Sequence, residues 1–566
     1  MSDELSPSNP LKVKDLYIDD FFEKDMLYAV LLRSTIRRGK IKRINLPDRL
    51  PEHVKIISAH NIPGVNLIEV FNRTVPLLAF EQVNYIGEPI LIAAGPNEKE
   101  LLSILLKISV EYQEEAALPA IHGYTGGQVV YKRRVHVGDV QRKMKEAFQI
   151  VEAEYSTNTR GYHPSNPLGA FTRYEGQNIA VYSPSLWPFH VRNSVALATG
   201  LNKSSVIVRV PETTKPADGK IWYPSLLAVY AALITVKTGR TTRLILSNSE
   251  QNRFLSWQSP IRIRYKTGLN KDGDPVVMDI EVVIDMGAYP VFTDEIIDRV
   301  CIGAAGLYTC KDVRIQGMAL RTNNPPLAAF EGFGLSEAIF AVETHASRIA
   351  ELVQNDPYTW KKRNSRKKDN LFITGGSFAP APPIDTLLDH VVKQSDFMRK
   401  HAAYEMVRKR RENIFTTTTP LRGIGLSQCY QGDGFIGAGE ERAPYSVIVR
   451  LEADSRLTLL TSGVSISGMA YTMWKRVAEQ ILGIPLENID LEAVDTSLVP
   501  DSGPSILSRN IIIIAKLIER GCQAIQKKRF RSPLPIEIKR IYHLPSSHKW
   551  NGKNFTGTPF PSLSWG

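Results

Sequence analysis

Apolar positions in the first part of the chain form three short runs that favour β-strands. The runs begin at Met26 (MLYAVLLRS), Val54 (VKIISA) and Pro89 (PILIAAG), and they surround the turn signals IPGVN and YIGEP. Between residues 97 and 110, apolar residues instead recur every three or four positions, which predicts a helix with one buried face. This mixture is typical of a small α+β domain.

The middle of the chain alternates between strand-like and helix-like patterns. The elements predicted there, in chain order, are a helix from Val140, strands from Asn178 and Ser205, a helix from Pro224, a hairpin turning at Asp272-Gly273 and a helix from Ser336. Gly239 is predicted to end the helix from Pro224, because glycine readily adopts the left-handed conformation found at helix ends.

Two changes of composition predict the domain organisation. Residues 122–128 (HGYTGGQ) and the Pro-rich stretch from Phe378 (FAPAPPID) are typical of linkers. The predicted units are a polar extension over residues 1–15 and three folded parts over residues 16–125, 129–370 and 378–566. In the last part, the pair of strand-like runs from Ser446 precedes a helix predicted to run from Ala470 to Gly483.

Composition excludes several classes of protein. With 566 residues, 43% of them hydrophobic and 23% charged, the chain is too long for a single core. Its four cysteines include no CxxC pair and no spacing typical of zinc or iron-sulfur ligands. The sequence therefore excludes an electron-transfer protein that carries its own clusters.

The net charge of +12 is concentrated in three cationic clusters, at residues 361–368, 399–411 and 527–531. The second cluster has the pattern of a helix with a solvated cationic face, and docking on an acidic partner subunit is the alternative. We expect no nucleic-acid binding, because no nucleic-acid-binding motif accompanies the charge.

No apolar stretch is long enough to cross a membrane. The first residues, MSDELSPSNP, lack the basic and apolar regions of a secretory signal, so we expect a cytoplasmic location.

Short segments rich in Gly, Pro and Asn recur between the predicted elements in an informative order. They include IPGVN, VNYIGEPILIAA, GYHPSNPLGA, DMGAYP, LRTNNPPLAAFEGFG and AEQILGIPLENIDLEAV. Together they resemble the molybdopterin-binding (large) subunit of the xanthine dehydrogenase and aldehyde oxidase family, from about Leu16 to Gly566. The resemblance implies a multidomain α+β fold, with a hammerhead-type α/β domain followed by two molybdopterin-binding-type domains, the second incomplete.

The resemblance also implies an activity, cofactors and partners. Members of this family hydroxylate a small molecule, either an aldehyde or an N-heterocycle, with oxygen from water at a molybdenum carried by molybdopterin. Electrons then pass to iron-sulfur clusters and FAD, and this chain lacks the cysteines for such clusters. An iron-sulfur subunit and an FAD subunit are therefore expected as partners in a hetero-oligomer.

Three side chains match residues of the family's substrate pocket. Arg299 falls where family members hold the substrate with an arginine, although an ion pair with Asp294, Glu295 or Asp298 explains it equally well. Phe330 and Phe333, in AFEGFG, match pocket aromatics, and core packing is the alternative role.

Four glycines match positions where the family's backbone approaches the cofactor: Gly219, Gly332, Gly334 and Gly468. A plain turn would also require glycine there. No residue is predicted to bind the metal directly.

Four local departures weaken the match to a conventional site. The family has an arginine where Glu331 stands, and a glutamine where Leu186 stands. Its Gly-rich loop GGGFGGK, followed by glutamate, is replaced by TKPADGKI, so that Ile221 takes the place of the glutamate. Its GQG turn is replaced by residues 467–469, Ser-Gly-Met. Each change removes a hydrogen-bond donor, a charge or a permissive glycine.

A fifth departure concerns length. Family members continue beyond the point that corresponds to Gly566, and the resemblance places their catalytic glutamate in that segment, so no general base is expected in this chain. Three hypotheses follow. The chain is a divergent hydroxylase subunit completed by a separate C-terminal fragment, or a catalytically inactive, truncated paralogue that serves as a structural subunit without molybdenum, or an unrelated binding protein that uses its basic surface.

Overall fold

The computed structural model of the protein describes most of the chain. The described residues are 16–119, 121–124, 128–159, 166–213, 218–255, 258–327, 332–366, 372–377, 383–412, 420–436, 439, 445–466, 468–546, 549–560 and 562–566.

The first part of the chain is built mainly from strands. Its elements are β1 (Leu27–Arg33), β2 (Gly39–Asn45), β3 (Lys55–Ser58), β4 (Leu67–Val70), β5 (Arg73–Pro76), β6 (Gln82–Val83), β7 (Pro89–Gly95), α1 (Glu98–Leu105) and β8 (Ser109–Glu114). The strands predicted from Met26, Val54 and Pro89 are confirmed as β1, β3 and β7.

Helix α1 is shorter than predicted. The side chain of Asn97 accepts hydrogen bonds from the backbone N–H groups of Lys99 and Glu100, which fixes the helix start as expected for an asparagine cap. The helix ends at Leu105 because the residues after Ile108 form β8, which pairs with β2. Backbone pairing with a strand distant in the sequence therefore decides the end of this helix.

The middle part continues with alternating strands and helices. Its elements are β9 (Val129–Val137), α2 (Val140–Glu146), β10 (Gln149–Ser156), β11 (Gly169–Glu175), β12 (Asn178–Tyr182), α3 (Pro188–Thr199), β13 (Val206–Arg209), α4 (Tyr223–Thr238), β14 (Thr242–Ile245), α5 (Asn248–Phe254), β15 (Ile261–Leu269), β16 (Pro275–Asp285), α6 (Thr293–Ala304), β17 (Asp312–Leu320), α7 (Leu335–Leu352) and α8 (Pro357–Asn364).

One sheet joins the first and middle parts of the chain. Its strand order is β13-β12-β11-β14-β1-β7-β3. Strand β1 pairs in parallel with β14, with Leu27 opposite Thr242, and it pairs antiparallel with β7. Strands from both sides of the predicted linker at residues 122–128 thus belong to the same hydrogen-bonded sheet.

Helix α4 lies between this sheet and the first part of the chain. It is buried from Tyr223 to Thr235, so apolar residues surround it on all sides rather than on one face. The buried hydroxyl of Tyr230 donates a hydrogen bond to the carbonyl of Leu77 at 2.7 Å. Gly239 ends the helix in the left-handed conformation, as predicted.

A second sheet has the order β10-β15-β16-β17-β9 and packs against α6 and α7. The predicted hairpin is confirmed, since β15 and β16 pair antiparallel and Gly273 has a φ of 78° at the turn. The ammonium of Lys361, in the first cationic cluster, is buried against the carboxylate of Glu343 at 2.6 Å. This part of the cluster is therefore internal and not a solvated surface.

The last part of the chain forms a smaller sheet with two helices against it. Its elements are α9 (Ile384–Ser395), α10 (Phe397–Glu412), β18 (Tyr430–Gly432), β19 (Ser446–Leu451), β20 (Leu457–Leu460), α11 (Met469–Leu482), β21 (Ile489–Leu491), α12 (Ala515–Lys528), β22 (Ile536–Ile541) and β23 (Leu563–Trp565). The sheet order is β21-β20-β19-β22, and α11 and α12 share an apolar core with it.

The segment at residues 549–566 packs back onto the middle part of the chain. Strand β23 pairs with β18, and the indole N–H of Trp550 donates a hydrogen bond to Asp298 at 2.9 Å. The α+β, multidomain architecture predicted from the sequence is confirmed. Among the described residues, no helix is long and apolar enough to span a bilayer.

A buried polar network connects the first and middle parts close to the shared sheet. The carboxyl of Glu88, 2% exposed, accepts hydrogen bonds from the Asn84 N–H at 2.5 Å and from the Tyr289 hydroxyl. The amide of Asn323 donates to the carbonyl of Asn84 at 2.6 Å. Burial raises the pKa of Glu88 to about 7, although its hydrogen bonds and Arg321 act in the opposite direction.

This raised pKa predicts a pH-dependent stability. The folded state holds the Glu88 proton more tightly than the unfolded chain does. The contribution of this proton to the free energy of unfolding is therefore complete below the ordinary pKa of 4.5 and is lost as the pH rises through 7. Glu88→Gln cannot ionise. The free energy of unfolding of Glu88→Gln minus that of the parent should therefore increase by up to about 3 kcal/mol when the pH is raised from about 5 to about 8.

Chemical unfolding of both proteins at the two pH values measures this difference. Glu81→Gln, at an exposed position in the same part of the chain, serves as the control. A difference between parent and Glu88→Gln that is the same at both pH values would contradict the prediction.

Candidate functional site

Four loops from distant parts of the chain converge next to the smaller sheet. The backbone N–H of Leu186 donates to the carbonyl of Lys220 at 2.8 Å, and the N–H of Ser505 donates to the carbonyl of Leu186 at 2.8 Å. The Ser505 hydroxyl in turn accepts from the N–H of Val464 at 2.8 Å. The loops that contain Gly219 and Gly468, both predicted cofactor-binding positions, therefore meet here.

A cleft of about 610 Å³ opens at this meeting point, and we name it the α11 cleft. Its lining comprises residues 210–213, 464–465, 468, 471–472, 475 and 490–494. Gly468 precedes the first residue of α11 with a φ of 67°, and an added Cβ there would meet nothing within 4 Å. Gly468 provides no side-chain cap for α11, and the Ser465 hydroxyl accepts from the N–H of Ala470 at 3.3 Å. The positive end of the helix dipole at this cleft favours an anion.

Charged side chains of both signs line the α11 cleft. Lys475 contributes a cation, whereas Glu212, Asp490 and Glu492 contribute carboxylates. Of these, Asp490 is paired with Arg456 at 2.8 Å. The helix end and Lys475 thus provide the positive potential on one side of the cleft.

Lys220 lies next to the α11 cleft and is almost completely buried. Burial lowers the pKa of its ammonium to about 8, and the nearby Glu212 partly offsets that effect. A lysine with such a pKa changes its charge close to neutral pH.

Apolar side chains occupy the place where the loops touch. Leu186, Val210 and Val464 form a buried cluster, with Ile466 and Val494 packed against it. Ile221 is also fully buried, in the main core. Two of the departures noted in the sequence, Leu186 and Ile221, therefore contribute packing and no hydrogen-bond donor.

Arg299, the predicted substrate-orienting residue, is 0% exposed on the second turn of α6. Its Nε donates to Glu295 Oε1 at 2.5 Å, its Nη1 donates to the carbonyl of Gly432 at 3.1 Å, and its Nη2 donates to the carbonyl of Gly434. Its guanidinium also lies 4.7 Å from the centre of the Phe560 ring. All of these contacts are internal to the chain.

The other carboxylates near Arg299 have different partners. Asp298 pairs with Arg133, and Asp294 lies 3.6 Å from Arg73. Of the three carboxylates that the sequence offers to Arg299, Glu295 is therefore its partner. Burial raises the pKa of Glu295 to about 7, against the opposite effect of Arg299. A role of Arg299 in orienting a substrate stays a prediction.

The Arg299–Glu295 pair fixes the backbone on both sides of Phe435. Arg299 binds the carbonyls of Gly432 and Gly434, and Glu295 Oε2 accepts from the N–H of Ile436 at 2.6 Å. Because Phe435 lies between these contacts, the ion pair determines where its ring is placed.

Phe333, one of the two predicted pocket aromatics, belongs to an aromatic cluster. Its ring centre lies 5.4 Å from that of Phe292 and 5.8 Å from that of Phe435, and Phe71 contacts both of those rings. Phe330 and Glu331 lie outside the described residues, as does Ser467. No sequence motif predicted Phe71, Phe292 or Phe435 as site residues, although the Gly-rich context of Phe435, QGDGFIGAG, is a signal that could have indicated it.

Three residues of this aromatic cluster have an unfavourable backbone conformation. Phe71, Phe292 and Phe333 have φ values of 54°, 52° and 50°, in the left-handed region that is unfavourable for a bulky residue. Such conformations cost on the order of 1–3 kcal/mol each and recur at functional sites.

Gly332 and Gly334 are required by local packing. Both have positive φ values, 88° and 84°. An added Cβ would lie 2.5 Å from Ser336 Oγ at Gly332 and 2.5 Å from Val300 Cγ2 at Gly334. The close approach of α6 to the start of α7 thus accounts for Gly334 without a cofactor.

Three family models together match most of the chain. The model described as the a/b hammerhead domain of aldehyde oxidase and xanthine dehydrogenase matches residues 13–116. Two models described as molybdopterin cofactor-binding domains match residues 121–365 and 397–532.

Two curated relatives agree with these models. The chain is 24% identical to aldehyde oxidase 4 of Cavia porcellus over 522 residues, which cover 90% of this chain and 38% of that protein. It is 28% identical to the nicotinate dehydrogenase large molybdopterin subunit of Eubacterium barkeri over 370 residues, which cover 63% of this chain and 86% of that subunit.

A solved structure has the same fold. The aldehyde oxidoreductase of Desulfovibrio gigas superposes with a TM-score of 0.79 at 20% identity, over 96% of this chain and 62% of that one. This chain spans less than two thirds of the length of aldehyde oxidase 4 and of the aldehyde oxidoreductase. The matched domains, their order and the shared fold together establish that the chain belongs to the xanthine dehydrogenase and aldehyde oxidase family, with the hammerhead domain preceding the molybdopterin-binding-type domains.

Proposed function

We propose that this chain is the molybdopterin-binding subunit of a hydroxylase-type oxidoreductase that acts on an aldehyde or an N-heterocycle. The observation that carries the proposal is the convergence of four distant loops on the α11 cleft, next to the amino-terminal end of α11. A helix amino terminus that faces an open cleft is a favourable place for an anionic ligand.

The residues around the α11 cleft fit the anionic part of a pterin cofactor. The positive end of the α11 dipole and the ammonium of Lys475 would hold a phosphate, and Gly468 leaves room for a close approach. Lys220 adds a second, buried cation next to the cleft. When bound, the cofactor supplies a metal that activates water and accepts two electrons.

The chain's own aromatic residues would place the substrate. Phe292, Phe333 and Phe435 form apolar walls that exclude water and can stack on a flat molecule. Arg299 acts in this proposal as a positioning residue, because it holds the backbone next to Phe435.

Partner subunits follow from the proposed chemistry. The electrons leaving the cofactor require acceptors, and the four cysteines, none of them in a CxxC pair, offer no iron-sulfur site. Iron-sulfur and FAD subunits would supply the acceptors. The Eubacterium barkeri relative is a large molybdopterin subunit, which fits such an assembly.

A second candidate function is a structural subunit without molybdenum. The apolar cluster of Leu186, Val210 and Val464 favours it, since this cluster fills the junction of the loops with side chains that offer no hydrogen-bond donor. The two candidates make opposite predictions about metal content.

Cofactor content distinguishes the two candidates. The chain, produced in a host that makes molybdopterin, is expected to contain molybdenum by elemental analysis and a pterin detectable by fluorescence. Lys475→Glu should reduce both, because it places a carboxylate where the proposed phosphate would bind. Lys527→Glu, at an exposed position on α12, should change neither. Parent protein without molybdenum or pterin would reject the first candidate and support the second.

The positioning role of Arg299 makes a prediction about stability. Arg299→Met leaves the carboxylate of Glu295 buried without its cation, so the free energy of unfolding should fall by about 3–5 kcal/mol. The double variant Arg299→Met/Glu295→Leu should lose less, because it removes both charges. Urea unfolding measures both losses. A single variant as stable as the parent would show that Arg299 is not needed to hold this backbone.

A further inference from the structure

A second cleft lies on the other side of the aromatic cluster, and we name it the α6 cleft. It encloses about 560 Å³ between five separate parts of the chain. These parts are the turn at Phe71 and Asn72, strand β9 at Tyr131 and Arg133, the first two turns of α6, the residues Phe435, Ile436 and Gly439, and residues 549–553. The volume is within the range of pockets that bind small organic molecules.

Aromatic side chains form one wall of the α6 cleft. The rings of Phe292 and Phe435 are parallel within 9° with their centres 6.0 Å apart, and Phe71 meets both rings edge-on. Trp550 adds a further ring to the lining. A flat ligand would therefore find apolar, rigid surfaces.

Most charged groups along the α6 cleft are already paired. Glu295 is bound to Arg299, and Asp298 accepts from both Arg133 and Trp550. Lys549 and Lys553 are exposed, where solvent screens their charge. Arg299 does not line this cleft. Recognition of a ligand here must come from other groups.

Two buried acceptors at the start of α6 have no hydrogen-bond partner among the described residues. Thr293 is 1% exposed and lines the α6 cleft, and its Oγ1 makes no hydrogen bond. Asp294 Oδ1 is also buried, although 42% of the Asp294 side chain is exposed, and it forms an ion pair with Arg73 at 3.6 Å but no hydrogen bond. A buried polar atom without a partner is costly, and such atoms are rare in native proteins.

We propose that the α6 cleft binds a flat aromatic molecule that donates hydrogen bonds, from an amino group or a ring N–H, to Thr293 Oγ1 and Asp294 Oδ1. The carboxylate of Asp294 can only accept, so its partner must be a donor. The same carboxylate disfavours an anionic ligand such as an aromatic acid. The aromatic wall selects a ring system in preference to a flexible aliphatic molecule.

Binding of this ligand does not depend on the proposed function. Only the further statement that the ligand is the substrate rests on the proposed function. If the chain is a hydroxylase subunit, Thr293 and Asp294 select amino-substituted or N–H-bearing heterocycles over simple aldehydes. Binding itself needs no metal. Absence of molybdenum would therefore overturn the proposed function and leave the binding experiment valid.

Isothermal titration calorimetry of the full chain with three probes of the same ring system tests the proposal. At about pH 8.5, 2-aminoquinoline offers an amino donor, quinoline offers none and quinoline-2-carboxylate carries a negative charge. We expect 2-aminoquinoline to bind about tenfold more tightly than quinoline, which corresponds to two net hydrogen bonds, and quinoline-2-carboxylate to bind most weakly. Equal affinities, a preference for the carboxylate, or no binding of any probe at millimolar concentration would overturn the proposal.

Variants of Thr293 and Asp294 test whether these two acceptors cause the tighter binding of 2-aminoquinoline. Thr293→Val removes the hydroxyl at nearly constant volume and should abolish most of the advantage of 2-aminoquinoline over quinoline, whereas Thr293→Ser should retain it. Asp294→Ala should reduce the same ratio. Thr359→Val, at an exposed position in the first turn of α8, is the matched control and should leave the ratio unchanged. A ratio that survives both Thr293→Val and Asp294→Ala would place the donor contact elsewhere and reject the assignment.

Discussion

The pairing of β1 with β14 is the constraint on which the rest of the structure depends. It joins the amino-terminal strands to the middle of the chain in one seven-stranded sheet, across more than 200 residues of sequence. Helix α4 is buried because both parts of the chain then cover it. The turn that carries Phe71, in the first part of the chain, contacts Phe292 and Phe435 from its middle and last parts.

A buried ion pair fixes the backbone next to the aromatic cluster. Arg299 and Glu295 lie one turn apart on α6, and their remaining hydrogen bonds go to the backbone on either side of Phe435. Because both groups are desolvated, removal of either one alone would greatly reduce the free energy of unfolding. The strained φ values of Phe71, Phe292 and Phe333 are tolerated next to this rigid contact.

The two clefts differ in the kind of ligand that their residues suit. The α11 cleft has a helix amino terminus, a lysine and open space at Gly468, which are properties suited to a phosphate-bearing cofactor. The α6 cleft has aromatic walls and two buried acceptor atoms without a hydrogen bond, which suit a flat ligand with N–H donors. The apolar contact of Leu186 with Val464 lies at the junction of the converging loops and is the feature that weakens the match to a conventional metal site.

The sequence by itself determined the α+β class and most local elements, because apolar periodicity and glycine at helix ends act over a few residues. The helix from Pro224 ending at Gly239 and the hairpin at Asp272-Gly273 are examples. The family followed from the resemblance of the sequence motifs, taken in order along the chain. Tertiary structure decided where α1 ends, which of three carboxylates binds Arg299, and that Phe71, Phe292 and Phe435 share one cluster. These outcomes depend on contacts between residues far apart in the chain, and no local pattern encodes which distant groups meet or which buried acceptors, such as that of Thr293, are left without a donor.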